Sequence, residues 1–184
     1  MKKTAMLFAE GFEEVEALTV VDLLRRAEIG CDIVALAEAE TVTGSHGICV
    51  RADTTFGRAA LDGYDALLLP GGQPGTRNLA ADGRVLDALR RFHAVGKLTA
   101  AICAAPTVLA KAGLLEGRRA VCYPGLEEQL TGALATEGAV AVDGTVITSR
   151  GVGTAIPFAL ALVEYLTDAE RARELARSIV FAQG

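Results

Sequence analysis

The chain has 184 residues, a length typical of one domain, and we expect a single domain over residues 1–184. It carries 18 Lys and Arg against 23 Asp and Glu, a formal net charge of −5, so it lacks the basic surface that nucleic-acid binding requires. Hydrophobic residues make up 51% of the chain, yet no apolar run approaches the ~20 residues of a membrane-spanning helix. Nucleic acid and membrane are therefore not expected as partners.

The chain has four cysteines and two histidines. The apolar stretch that starts at Thr4 is stopped by Glu10 and is too short for a signal peptide, so we expect a cytoplasmic protein with free thiols. No C-x-x-C pair and no histidine at zinc spacing is present, so we expect no metal site. What remains is reactive thiol chemistry or inert core cysteines, and the candidates are Cys31, Cys49, Cys103 and Cys122.

Strand-like runs alternate with helical patterns along the chain, which is typical of an α/β fold with a parallel sheet. The first half predicts buried strands, one helix and short antiparallel strands at a sheet edge. In chain order these are a strand over Thr4–Ala9, a helix over about Glu13–Ala27, a strand over Cys31–Leu36, the edge strands within 42–56, and a strand over Ala66–Pro70.

The second half continues the same alternation and ends in a helical tail. Its elements are a helix over about Arg84–Val95, a strand over Leu98–Ile102, a helix over Pro106–Ala112, strands over Ala120–Tyr123 and Thr145–Thr148 that complete the sheet, a short helix near Leu126–Leu130, and a helical tail over Ala155–Phe181 broken near Thr167-Asp168. Sites in open parallel sheets lie beyond the carboxyl ends of the strands. We therefore expect the chemistry near Glu10, Gly71-Gly72 and Cys103.

Cys103 stands where an apolar strand ends and small residues follow at once, with Pro106 at an early helix position. Such a strand–turn–helix exposes a side chain at the sheet edge, as in a nucleophile elbow, and the start of a helix favours a thiolate. Cysteine is also among the most buried residue types. From the residues alone, a reactive and a structural Cys103 both stay open.

Glu16 lies on the apolar face of the first predicted helix, together with Val20 and Leu23. A carboxyl group in apolar surroundings has a raised pKa and can share or donate a proton. A solvated glutamate at the start of a helix is the commoner alternative. Glu13 lies near the same stripe but in the first turn, where acidic residues are ordinarily found.

Two glycine clusters and the remaining cysteines and histidines carry weaker signals. Gly71-Gly72 follow a buried strand and can present backbone N–H donors to an oxyanion, although turn formation alone also explains them. Gly151-Val152-Gly153-Thr154 lacks the final glycine of a dinucleotide fingerprint, so we reject a nucleotide site. We expect core packing for Cys31, Cys49 and Cys122, and an exposed His93. His46 lies in a turn and could reach the site, but nothing specific in the sequence supports this.

Four separated stretches together resemble the ThiJ/PfpI superfamily, and within it the parkinsonism-associated deglycase branch. They run in order along nearly the whole chain without large insertions. The stretches are Glu13–Ala17 with Val21–Ala27, then Leu69–Gly72, then Ala100–Thr107, and finally Thr148–Thr154 followed by the helix through Leu160.

The resemblance implies a flavodoxin-like α/β sandwich with a mostly parallel central sheet, assembled as a homodimer. It places the reactive cysteine at Cys103 and its partner carboxylic acid at Glu16, with backbone N–H groups of Gly72 and Ala104 as the oxyanion pocket. Gly71, His46 and Tyr123 are candidates for lining the site. No cofactor is expected, and the implied substrates are small reactive carbonyls or glycated proteins and thiols.

Two positions depart from the superfamily's patterns. Ala104 replaces the histidine that follows the nucleophile in the protease-like branch, which removes the base of a cysteine protease. Tyr123-Pro124 stands where the deglycase branch has His-Pro, and a tyrosine is a poor base at neutral pH. Neither departure removes Cys103 or Glu16, so the resemblance still implies a cysteine-dependent glyoxalase or deglycase acting on 2-oxoaldehydes such as methylglyoxal. The alternative is a redox-sensing stress protein or chaperone whose cysteine is oxidised to a sulfinate.

Overall fold

The computed structural model describes residues 2–181. Its centre is a seven-stranded sheet in which six strands are parallel and one edge strand is antiparallel. From edge to edge the sheet strands are β10 (Val140–Asp143), β11 (Val146–Ser149), β7 (Leu98–Ile102), β6 (Ala66–Leu69), β1 (Lys3–Phe8), β2 (Gly30–Ala35) and β5 (Thr54–Thr55). The central strands are continuous apolar runs because both faces of a parallel sheet are covered.

Helices cover both faces of the sheet. On one face lie α1 (Glu14–Arg26), α5 (Ala155–Leu166) and α6 (Ala169–Ser178), and on the other lie α2 (Gly75–Ala81), α3 (Gly83–Ala94) and α4 (Pro106–Lys111). Side chains alternate along β1, so that Met6 and Phe8 enter the first core while Ala5 and Leu7 enter the second. This three-layer, mostly parallel arrangement confirms the predicted α/β fold class.

Two small sheets lie outside the main one and correct two expectations. In the 42–56 region, β3 (Thr41–Thr43) and β4 (Cys49–Arg51) pair with each other as a separate antiparallel hairpin, and only the parallel strand β5 joins the main sheet. The strand expected over Ala120–Tyr123 does not complete that sheet. Instead β8 (Arg119–Ala120) pairs with β9 (Leu134–Ala135).

Hydrogen bonding gives the reason for the second correction. The backbone N–H of Val121 donates to the Thr148 hydroxyl at 2.9 Å, and the N–H of Tyr123 donates to the carbonyl of Cys103 at 2.8 Å. The segment after β8 therefore crosses the carboxyl end of the sheet instead of extending it. The helix expected near Leu126–Leu130 is a single 3₁₀ turn over Glu127–Gln129.

Within residues 2–181, the helices are too short and not apolar enough to cross a lipid bilayer. The longest is α1, with 13 residues.

Truncating Leu68 tests the position of β6 at the centre of the sheet. Leu68 is fully buried, so Leu68→Ala should lower the free energy of unfolding by ~2–5 kcal/mol in urea denaturation. Val95 follows α3 and is 70% exposed, so Val95→Ala should change it by less than ~0.5 kcal/mol. Equal effects of the two variants would contradict this arrangement.

Candidate active site

Cys103 lies in a sharp turn at the carboxyl end of β7. Its backbone has a φ of 65°, a left-handed conformation that is uncommon and costly for any residue except glycine. Two backbone hydrogen bonds hold the turn, from Cys103 N–H to the Ser149 carbonyl at 3.0 Å and from Tyr123 N–H to the Cys103 carbonyl at 2.8 Å. The sulfur is thereby directed out of the sheet edge, as the strand–turn–helix pattern predicts.

Glu16 reaches the same point from α1. The helix begins at Glu14, after Glu13 as N-cap, whose carboxylate accepts the N–H of Glu16 at 2.7 Å. Glu16 is fully buried, and its Oε2 accepts the N–H of Gly71 at 2.9 Å. The alternative of a solvated glutamate at the helix start is therefore wrong.

The Cys103 and Glu16 side chains meet beside Gly71 and leave no space for a larger residue there. A Cβ at Gly71 would lie 2.5 Å from the Cβ of Cys103 and 2.6 Å from Oε2 of Glu16, both far inside normal contact distances. Position 71 must therefore be glycine, because any side chain there would clash with the Cys103–Glu16 pair.

The Glu16 carboxyl and the Cys103 thiol hydrogen-bond with each other, and each changes the acidity of the other. Burial raises the pKa of Glu16 to about 7, as its place on the apolar helix face predicts. Burial and the negative charge of Glu16 raise the pKa of the Cys103 thiol to about 12. The expectation that a helix start lowers the pKa of this thiol is wrong, because α4 begins three residues later and burial dominates.

Backbone N–H groups of Ala104 and Gly72 oppose that increase by hydrogen-bonding to the Cys103 sulfur. The other oxygen of Glu16, Oε1, is buried and has no hydrogen-bond partner in the described part of the chain. Two N–H donors therefore serve the sulfur, whereas one serves the carboxyl group. Even so, a pKa of about 7 against about 12 makes the Glu16 carboxyl the stronger acid of the pair, so it gives up its proton before the Cys103 sulfur does.

The pair opens into a cavity of about 630 Å³. Four further chain segments form its wall and bring in the basic side chains of His46 and Arg150. The lining residues are Glu13, Glu16, Ser45, His46, Gly72, Gln73, Cys103, Tyr123, Pro124, Arg150, Gly151, Val152, Gly153 and Thr154. His46 and Tyr123 thus line the site as expected from sequence, whereas Gly71 lies beneath the reacting pair.

The 150–154 loop lines the cavity, although the sequence indicated no role for it beyond a rejected nucleotide fingerprint and the family resemblance. The Thr154 hydroxyl accepts the N–H groups of Arg150 at 3.2 Å and of Gly151 at 3.1 Å. A Cβ on Gly151 would meet the Tyr123 ring at 3.5 Å and Glu16 Oε1 at 3.7 Å. Both distances are ordinary van der Waals contacts, so Gly151 packs beside Tyr123 and Glu16 without its size being required there.

Glu14 was also missed by the sequence reading. Its side chain is only 3% exposed, and His46 Nδ1 lies 2.9 Å from its Oε2. Burial alone would raise the pKa of Glu14, but hydrogen bonds with His46 and Ile48 outweigh burial and lower it to about 2. The same contact and charge of Glu14 raise the pKa of His46.

Glu13, Glu14 and His46 are the residues here that could hold a metal ion, since one donor atom of each lies within 4.8 Å of the others. Both oxygens of Glu14 already accept hydrogen bonds from the loop that carries His46. Those hydrogen bonds account for the cluster without a cation.

The other cysteines and the second histidine lie elsewhere. Cys31 and Cys122 are buried, as expected. Cys49 is exposed, contrary to expectation, because β4 belongs to the outer hairpin and not to the core. His93 is half-buried on α3 and not exposed; burial and the charge of Arg118 lower its pKa.

A buried carboxyl–thiol pair at the carboxyl edge of a flavodoxin-like sheet defines the class of this site. The sequence profile of the DJ-1/PfpI family matches residues 2–165, and the chain belongs to that family. It is 39% identical to protein dj-1beta of Drosophila melanogaster over 185 residues, with 99% of each chain covered.

Two further comparisons support the same assignment. A deglycase of Pyrococcus horikoshii is 34% identical over 151 residues, which cover 80% of this chain and 89% of that protein. The structure of oxidised Toxoplasma gondii DJ-1 superposes with a TM-score of 0.95 at 36% identity, with 100% of both chains covered.

The raised pKa of Glu16 predicts a specific dependence of stability on pH. The pKa of Glu16 is raised from 4.5 to about 7, so the folded state binds this proton more tightly than the unfolded state. The resulting stabilisation is complete below pH 4.5 and is lost as the pH rises to about 7, a change of about 3 kcal/mol.

Urea denaturation of wild type and Glu16→Gln between pH 4.5 and 7 measures this difference. The stability of wild type relative to Glu16→Gln should fall over that range, since glutamine does not titrate. Glu164→Gln, at an exposed glutamate of α5, should run parallel to wild type. Parallel curves for Glu16→Gln and wild type would contradict a raised pKa of Glu16.

Proposed function

We propose that this chain is a cofactor-independent, cysteine-dependent enzyme that converts 2-oxoaldehydes such as methylglyoxal, or their early adducts, to 2-hydroxy acids. The observation that carries the proposal is the Cys103–Glu16 pair at the base of an open cavity. A sulfur with two N–H donors is a nucleophile, and a buried carboxyl beside it is an acid–base group.

In the first step the Glu16 carboxylate takes the proton of the Cys103 thiol while the sulfur attacks the aldehyde carbon and forms a hemithioacetal. The N–H groups of Gly72 and Ala104 lie at the sulfur, where they can also donate to the oxyanion that develops on the attacked carbon. Glu16 supplies the proton that this oxyanion takes up. The proton thus stays within the site and needs no exchange with solvent.

Isomerisation follows without an external oxidant. Removal of the proton from the former aldehyde carbon gives an enediol, and a proton delivered to the neighbouring carbon gives the thioester of a 2-hydroxy acid. The aldehyde carbon is oxidised and the ketone carbon is reduced by the same two electrons. Water then cleaves the thioester, so the balance is one 2-oxoaldehyde and one water to one 2-hydroxy acid.

Glu16 is the group suited to the proton transfers. Its unpaired Oε1 lies beside the space under Gly151, and its pKa of about 7 lets it both take and give a proton near neutral pH. The cavity therefore brings a nucleophile, an oxyanion site and an acid–base group close to one another.

Replacing Cys103 tests the proposal directly. Cys103→Ser should abolish lactate formation from methylglyoxal, and Glu16→Gln should reduce kcat by about 100-fold, a usual contribution of acid–base catalysis. Cys49→Ser is the matched control, because Cys49 is the exposed thiol away from the cavity and should leave turnover unchanged. Equal lactate production by Cys103→Ser and wild type would refute the role of Cys103.

A redox-sensing stress protein or chaperone is the second candidate function. Cys103 is accessible from the cavity, and the N–H groups that serve its sulfur could hold the oxygens of a sulfinate. Mass spectrometry after mild peroxide separates the two functions. Selective gain of two oxygens at Cys103, together with an absence of turnover in the reduced protein, would favour the sensor.

The homodimer and the cytoplasmic location stay predictions from sequence. Two exposed apolar side chains lie beside Glu14, Val15 on α1 and Ile48 on the hairpin, at 50% and 52% exposure. We propose that a second copy of the chain covers them, and light scattering should then give a smaller mass for Val15→Asp than for wild type.

A further inference from the structure

Glu14 and His46 form a carboxylate–imidazole pair at the rim of the Cys103 cavity. His46 Nδ1 lies 2.9 Å from Glu14 Oε2, and the backbone N–H of His46 donates to Oε1 at 2.7 Å. The Glu14 side chain is 3% exposed, whereas that of His46 is 70% exposed. The buried carboxylate thus fixes the ring, and the ring itself remains open to the cavity.

The loop that carries His46 is shaped around this carboxylate. The Ser45 hydroxyl and the Ile48 N–H also donate to Glu14, at 3.3 Å and 3.4 Å. A Cβ at Gly44 would overlap the Glu14 carboxyl, so the close approach depends on glycine. The N–H of Ser45 donates to the Phe12 carbonyl at 2.8 Å and ties the loop to the start of α1.

The hydrogen bond fixes which ring nitrogen is a base. A nitrogen beside an ionised carboxylate carries the proton, so the neutral ring of His46 presents the lone pair of Nε2. Nε2 has no hydrogen-bond partner among residues 2–181. His46 also lines the same cavity as Cys103, whereas His93 lies on α3 outside it.

We propose that His46 is the general base of thioester hydrolysis and that Glu14 positions it. This inference rests on the proposed function. A water molecule gives a proton to His46 Nε2 while its oxygen attacks the carbonyl carbon of the thioester on Cys103. The C–S bond breaks, its electron pair leaves on sulfur, and the 2-hydroxy acid departs. His46 then releases its proton to solvent, so the site returns to its starting state.

The charges around His46 decide the direction of its pH dependence. Glu13 Oε1 lies 3.9 Å from Nδ1 and Glu14 is closer still, so both carboxylates favour the imidazolium. A base must be neutral to act, so hydrolysis should accelerate as the pH rises through a His46 pKa that lies above its ordinary value. The other titratable or charged groups on the cavity wall are Glu16, Cys103, Tyr123 and Arg150.

His46→Asn tests the proposal with little change to the loop, because the asparagine amide can still donate to Glu14. We expect kcat with methylglyoxal to fall by about 100-fold and the acylated Cys103 to accumulate in rapid-quench mass spectrometry. The rising limb of the pH–rate profile should disappear. Added imidazole should restore part of the rate, a rescue that a merely structural role would not produce.

Glu14→Gln tests the positioning role. Loss of the negative charge should move the rising limb of the profile to lower pH, because the imidazolium loses its stabilising partner. Thermal denaturation shows whether this buried substitution preserves the fold. His93→Gln, at the other histidine, is the matched control and should keep the wild-type profile.

The outcomes separate the two proposals. If wild type forms lactate through Cys103 and His46→Asn keeps the wild-type kcat and pH profile, the general base is refuted and the proposed function stands. If His46→Asn loses rate but neither accumulates acyl-enzyme nor responds to imidazole, His46 is structural and the inference is equally refuted. If wild type forms no lactate from methylglyoxal, the proposed function itself fails.

Discussion

The buried contact between Glu16 and Cys103 is the interaction around which the carboxyl edge of the sheet is arranged. A buried carboxylate is costly unless donors compensate it, and among residues 2–181 one backbone N–H, that of Gly71, serves the carboxyl group. Retaining a proton avoids most of that cost. When Glu16 does ionise, the Cys103 thiol can donate to the carboxylate, which favours the singly ionised state of the pair.

The surrounding backbone accommodates this contact. Strands β6 and β7 are neighbours in the sheet, so the residues that follow them, Gly71 and Cys103, meet at one edge. The contact leaves no room for a side chain at Gly71, and Cys103 takes a left-handed conformation. Both features cost stability locally, and the buried strands behind them supply the rigid support that maintains them.

The elements that support the site could be predicted from the sequence because they are buried on both faces. The central strands β1, β6 and β7 are continuous apolar runs, and the apolar face of α1 follows the helical period. The missed elements have no such pattern. The seven-residue helix α2 starts at a glycine, β9 has two exposed residues, and β10 is an edge strand.

In the site, too, the features with a local sequence pattern could be predicted and those without one could not. Cys103 and Glu16 could be found because each breaks a local pattern, a thiol at the end of a strand and a carboxyl on an apolar helix face. The contact between Glu14 and His46 joins residues 32 positions apart through a loop whose conformation depends on Gly44 and Phe12. No periodicity encodes such a contact, so only the folded chain reveals it.

The two glutamates of α1 show how one helix can supply opposite acid–base properties. Glu14 and Glu16 are two positions apart, about 200° around the helix axis, so they point in different directions. Glu16 faces the sheet, where the effect of burial on its pKa outweighs that of its few hydrogen bonds, and the pKa rises to about 7. Glu14 faces the hairpin loop, where several donors converge on it and the pKa falls to about 2. One carboxyl is therefore kept as a proton carrier and the other as a fixed charge, and this separation of environments is the usual origin of distinct acid and positioning roles.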